Sequence, residues 1–185
     1  MGAAVFLFVR NHQEGKEAGI HSEAALEQMI RVMSEKNIES SRNEKPNAIF
    51  TDESTTMKEL LIDENAYIGY ISIPVLNIEL PVLAEWNYEL LKLAPCRYQG
   101  TVYEDNMILM AHNYETHFGR IDELRAGDPI YFINVEGKIY EYEVIDRDLL
   151  ASSAVEEILA EEYDLALFTC TYGGKERITI YCEKQ

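Results

Sequence analysis

Three reactive groups can be gathered from separated places in this chain: a thiol, a guanidinium and an imidazole. Cys170 ends the apolar segment Leu165-Ala166-Leu167-Phe168-Thr169-Cys170, Arg177 follows seven residues later, and His112 lies fifty-eight residues earlier. A thiolate is the nucleophile of cysteine chemistry, an imidazole is its usual proton partner, and a fixed cation favours both the thiolate and a developing oxyanion. With unperturbed pKa values of about 8.5 and about 6.5, roughly 3% of thiols are ionised and roughly a quarter of imidazoles are charged at pH 7, so an ion pair formed by chance is under about 1%. A guanidinium keeps its proton throughout, raises the thiolate share and can hold a carbonyl or oxyanion. The pattern reads as that of a nucleophilic cysteine enzyme.

The elements that must position these groups are strands. Leu165 to Cys170 has strand character, Thr171-Tyr172-Gly173-Gly174 reads as a turn, and Glu176 to Cys182 alternates as a second strand of a hairpin. Along that strand Arg177 shares a polar face with Thr179 and Tyr181, while Ile178 and Ile180 point the other way. Cys182, at odd separation from Arg177, belongs to the opposite face. A purely structural Arg177 would pair with Glu176 or Glu183. Of four histidines, His12 and His21 lie in the N-terminal appendage as solvated residues. His112 directly follows the apolar strand Met107 to Ala111, where a group is held firmly yet reaches a cleft, and it is preferred to His117 as the acid/base. The plainer alternative is a histidine that caps its strand. No carboxylate stands out as a partner for the imidazole; Asn113 and Asp105 are nearest, and both residue types also form turns.

Composition narrows the function. At 185 residues with 47% hydrophobic residues the chain can build one catalytic domain with an appendage. A formal charge of −17 argues against binding nucleic acid or docking on anionic lipid. Cys96, Cys170 and Cys182 are too few for a disulfide framework and contain no Cys-x-x-Cys pair, so at least one thiol stays free in a monomer. Cys96 falls in an expected loop, packing as a small apolar group. The apolar run Ala3 to Val9 is seven residues, against the roughly 20 needed to cross a bilayer. It resembles the outer end of a truncated membrane anchor, or else an ordinary apolar N-terminus.

An appendage is expected over residues 1–65 and a catalytic barrel over 66–185. Ser22 can cap a helix whose Ala25, Leu26, Met29, Ile30 and Met33 form one apolar stripe. Ser34 to Met57 turns polar and reads as a linker. Beyond it, strands are expected at 67–73, 78–83, 107–111, 130–135, 138–145, 165–170 and 177–182, with a tight hairpin at Glu136-Gly137. Short helical pieces fit 88–93, 118–124 and 154–159. The fold class is therefore all-β with short helices, a closed or nearly closed β-barrel.

These residues, in this order, resemble the sortases, cysteine transpeptidases of Gram-positive cell surfaces, over about Ala66 to Glu183. The family signature Thr-Leu-x-Thr-Cys stands here as Ala166-Leu167-Phe168-Thr169-Cys170, with Ala166 replacing the first Thr. The family's histidine carries over to His112 and its arginine to Arg177. Ile68-Gly69-Tyr70-Ile71-Ser72-Ile73-Pro74 with Leu80-Pro81-Val82 looks like its opening strands, and Phe118 to Leu124 like its short helix.

The resemblance implies a closed eight-stranded barrel plus the N-terminal helical appendage, and a Leu-Pro-x-Thr-Gly-like sorting signal as substrate. It implies a thioester on Cys170, His112 as proton carrier, and Arg177 as oxyanion partner. The acceptor would be an amine of a cell wall precursor or a pilin. Thr169 would shape the pocket. The stretch 146–164 matches the loop that walls the signal groove, making Leu149, Leu150, Val155 and Ile158 candidate substrate contacts, or else core. An N-terminal anchor would place the enzyme on the outer face of the plasma membrane. The helix before the barrel leans toward class B, the loop before Cys170 is shorter than that class usually carries, class D is the rival, and the missing Asp-Pro-aromatic lid motif leads away from class C. No cofactor is implied, and the acidic residues form no recognisable calcium loop. A papain-like hydrolase would need its cysteine early, on a helix, with the histidine after it. An inactive sortase-fold binding or scaffold module is the other alternative; alkylation of Cys170 separates it from an enzyme.

Overall fold

The computed structural model describes residues 2–43, 56–153, 158 and 163–185, with side chains of the first segment from Arg10 to Lys36. Among the described residues one helix, α1 (Gly2–Asn43), precedes nine strands: β1 (Leu60–Ile62), β2 (Asn65–Ile73), β3 (Ile78–Leu83), β4 (Cys96–Gln99), β5 (Met107–Met110), β6 (Pro129–Asn134), β7 (Ile139–Ala151), β8 (Leu165–Cys170) and β9 (Glu176–Lys184). They form one sheet in the order β1-β2-β3-β4-β5-β8-β9-β7-β6, and β2 also pairs with β6. That last pairing closes eight strands into a barrel, with β1 as an extra strand, so the expected closed barrel and its N-terminal helix are what the chain builds. One-turn helices stand at Leu90–Lys92 and Ile121–Glu123, inside two expected helical pieces.

Alternation decides what each strand buries. Leu165 and Leu167 of β8, Met107 and Leu109 of β5, and Ile180 and Cys182 of β9 face the barrel interior with Ile68, Ile71, Phe132 and Tyr142. Their neighbours Ile108, Ala166, Phe168 and Tyr181 form a second cluster on the outside. Cys182 therefore lies in the core, on the face opposite Arg177, and burial drives its thiol pKa far up. Cys96 is the first residue of β4 rather than part of a loop. It packs among apolar side chains under α1, and burial pushes its thiol up to about 12.

Four expectations give way. Ser22 does not start a helix; it lies inside α1, where its hydroxyl donates to the Leu93 carbonyl at 2.8 Å. A tertiary partner removes the competition with backbone groups that makes serine an end signal. The segment after Ser34 stays helical to Asn43, and Ser34 bonds back to the Ile30 carbonyl at 2.7 Å; residues 44–55 of the expected linker lie outside the described residues. Within the expected stripe, Ala25, Met29 and Met33 are buried while Ile30 is exposed, and burial runs back through Ala18 to Gly15. Finally, β7 does not end at Ile145. A register shift between Val144 and Asp146 bends it, and it continues to Ala151 paired with Glu176, so six residues of the expected groove wall are strand. Ahead of Ala66, Met57, Leu60 and Ile62 are already buried in the two cores. The Glu136-Gly137 hairpin forms as expected, with Gly137 at φ 81° and its N–H donating to the Asn134 carbonyl at 2.9 Å.

Candidate active site

Two strand pairings assemble the site. β8 and β9 are antiparallel and set Cys170 directly opposite Arg177. β5 and β8 are parallel, with Met110 beside Phe168, so Ala111 continues toward Thr169 and His112 follows at the end of the sheet where β8 ends in Cys170. Backbone and side chain continue that pairing past the strand end: the Ala111 N–H donates to the Phe168 carbonyl at 3.2 Å, and the Thr169 hydroxyl donates to the Ala111 carbonyl at 2.8 Å. The His112 carbonyl in turn accepts from the Phe118 N–H at 3.2 Å. Thr169, expected to shape the substrate pocket, is 1% exposed and faces inward. It holds the strand end that carries His112.

Arg177 is anchored as well as charged. Its Nε donates to the Ser152 carbonyl at 3.1 Å, its Nη1 points at Cys170 Sγ across 3.8 Å, and its guanidinium lies 5.3 Å from the Phe168 ring centre. Among the described residues no carboxylate pairs with it, Glu176 and Glu183 included. A cation held by one donor leaves others for a thiolate and for an oxygen that gains charge. Cys170 is half-buried, the most accessible of the three thiols. Burial lowers the pKa of His112; Glu14 opposes that shift and Lys92 adds to it. A half-buried thiol, an imidazole and an anchored guanidinium at one end of the barrel are the kinds of group that acyl transfer through a thioester requires.

His117 has a different task. It is fully buried under α1, with Nε2 3.1 Å from the Ser22 hydroxyl oxygen. That hydroxyl already donates to Leu93, so the histidine is the donor and Nδ1 carries no proton. Burial, then the His112 charge, push its pKa down to about 4, against an opposing bond to the Ala18 backbone. The unfolded chain binds this proton at about 6.5, so stability is complete above pH 6.5 and declines as pH falls toward 4. Linkage gives a loss of about 3 kcal/mol across that window. Urea unfolding at pH 7 and pH 4.5 is expected to show this decline in the parent and a smaller one in His117→Gln; equal declines would refute the assignment.

The other expected residues divide. Leu149 is exposed on β7, and half-buried Leu150 stands beside Arg177 across the β7–β9 ladder. Ile158 is 2% exposed and packs against Phe168, Ala166 and Tyr181 on the outer face, which makes it a support of the site rather than an open contact. Val155 lies outside the described residues. Asp105 is held by Lys184 at 2.5 Å and is not a partner for His112, whereas Asn113 sits half-buried next to it. Among the described residues no His, Cys, Asp and Glu group is arranged to hold a metal.

Sequence reasoning missed an aromatic row leading away from the site. Trp86 stacks on Tyr98 at 5.5 Å, and Tyr98 meets Phe168 edge-on at 5.6 Å, next to Arg177. The row unites β8 with β4 and the loop after β3, and no local pattern announces it. On the other side, a cleft of about 250 Å³ opens between α1, Tyr114 and Glu115 of the His112 loop, and exposed Tyr172 after Cys170.

Comparison with known proteins agrees with this architecture. The family model described as Sortase domain matches residues 71–185. Sortase C from Clostridium perfringens SM101 shares 24% identity at a TM-score of 0.56, over 86% of this chain and 89% of that one. The Clostridium perfringens Sortase D5 transpeptidase shares 17% at 0.62, over 89% and 98%. Streptococcus pneumoniae Sortase C shares 22% at 0.59, over 94% and 95%. At these identities the structures report a common fold. Among curated proteins, none matches the chain.

Proposed function

The chain belongs to the sortase family of cysteine transpeptidases, and from that premise we propose that Cys170, His112 and Arg177 carry its reaction on a Leu-Pro-x-Thr-Gly-like sorting signal. Cys170 Sγ attacks the Thr carbonyl carbon, and the carbonyl oxygen takes up negative charge beside the Arg177 guanidinium. Collapse breaks the Thr–Gly C–N bond; His112 gives its proton to the departing Gly amine, leaving a thioester. An acceptor amine then attacks the same carbon, His112 takes the amine's proton, and the thiolate is released. The acceptor is an amine of a cell wall precursor or a pilin.

One observation carries this reading: the cross-strand pair of Cys170 and Arg177, with Nη1 3.8 Å from Sγ, at the strand end that parallel β5 shares with His112. The aromatic row from Phe168 to Trp86 offers an apolar, partly exposed surface for an extended peptide reaching Cys170. Work on a sorting signal would place the enzyme on the outer face of the plasma membrane. Among the described residues no helix is long and apolar enough to cross a membrane, so the anchor belongs to this proposal.

A sorting-peptide library with intact-protein mass spectrometry tests the reading. The expected result is cleavage between Thr and Gly with a thioester adduct on Cys170 that disappears on adding an amine. Cleavage elsewhere, or an adduct on another residue, would overturn it.

A further inference from the structure

The helix ahead of the barrel touches the loop that carries His112. Tyr114, two residues beyond His112, is 3% exposed, and its ring lies 4.8 Å from the His112 ring at a 35° tilt. Its hydroxyl donates to Glu14 Oε2 of α1 at 3.4 Å, while Glu14 Oε1 is paired with Arg10 at 3.2 Å. The contact is close because α1 presents glycines there. A Cβ at Gly15 would stand 3.3 Å from Tyr114 Cβ, and one at Gly19 would stand 2.9 Å from Thr116 Cγ2. Thr116 also donates its hydroxyl to the Gly15 carbonyl at 2.7 Å. Two glycines inside a helix weaken it relative to alanine, a cost offset here by docking.

We infer that α1 is part of the catalytic apparatus, with Tyr114 and Glu14 as positioning residues for the His112 imidazole. This rests on the transpeptidase reading and completes it, since Asp105 is engaged elsewhere and His112 otherwise lacks an acidic partner among the described residues. The aromatic plane fixes the ring's tilt, and the Tyr114 hydroxyl fixes the Glu14 carboxylate near it. The charged and titratable groups that act on His112 are Glu14 from α1, Lys92 from the one-turn helix before β4 and His117 from its own loop. Glu14 is the one anion of this set, so it favours the imidazolium that must protonate the leaving amine.

Glu14→Gln, Glu14→Asp and Tyr114→Phe test this in two ways. The first is the titration of His112 by NMR without substrate, assigned with His112→Gln. The second is the pH profile of peptide cleavage. In Glu14→Gln, the His112 titration and the alkaline limb of the rate profile are expected to move to lower pH. kcat at pH 7.5 should fall about threefold to tenfold with KM changed less than about twofold. Tyr114→Phe should move both the same way, and Glu14→Asp should recover most of the parent behaviour. An unmoved His112 titration in Glu14→Gln overturns the inference, whatever happens to the rate, because a merely structural helix would change rate without changing that curve. If the parent cleaves no sorting peptide yet the titration moves, the substrate reading falls and the positioning of His112 stands.

Discussion

Cys170→Ala is expected to yield a folded protein that binds a sorting peptide yet releases no Gly amine, a loss of at least about a thousandfold in turnover. No other thiol replaces it. Cys96 and Cys182 are both fully buried, and burial holds each thiol in its protonated form, Cys96 with a pKa of about 12. Cys170 stands half-buried at a strand end with a guanidinium 3.8 Å away. The same difference predicts the labelling pattern: one fast-reacting thiol in the native parent and none in Cys170→Ala. Removing one sulfur from an accessible strand end leaves the core untouched, so stability should change by less than about 1 kcal/mol. Turnover persisting in the alanine variant, or fast alkylation at Cys96, would move the chemistry to another residue.

Arg177→Lys, which preserves the charge, should still reduce kcat by about a hundredfold. Arg177 uses two separate donors: Nε fixes the side chain on the Ser152 carbonyl, and Nη1 faces Cys170. An ammonium is a point charge on a flexible stem, so it cannot hold the carbonyl and present a second donor in the same plane. It also loses the guanidinium's contact over the Phe168 ring. The deficit belongs in kcat, with KM for the peptide changed little, because the oxyanion exists only along the reaction path. Single-turnover acylation followed by mass spectrometry measures it directly. Acylation at the parental rate in the lysine variant would show that charge alone suffices.

Several of these features were legible in the sequence because they depend on neighbours in the chain. Two-residue alternation is a property of the extended backbone, and it placed Arg177 and Cys182 on opposite faces before any partner strand was known; the barrel then made the Cys182 face the inner one. Alternation or an unbroken apolar run marked seven of the nine described strands, and the Glu136-Gly137 turn marked one hairpin. Where a side chain's role depended on a partner distant in sequence, the chain gave no such signal. Ser22 looks like a helix start, and only Leu93 and His117, brought from far away, make it an interior helix residue.

Strands β1 and β4 have three and four residues, too short for a period to show and without the four-residue apolar run that marks β5, and they exist because longer strands align them. β7 runs past its apolar alternation to Ala151 because β9 supplies hydrogen bonds to a polar segment. The chain itself determined which residues could react and which way they faced, since residue chemistry and strand parity are local. Tertiary structure alone decided that parallel β5 and β8 bring His112 to the strand end that carries Cys170, and that α1 lies against Tyr114. Those are contacts between distant segments, whose free energy comes from surfaces that meet only in the folded molecule.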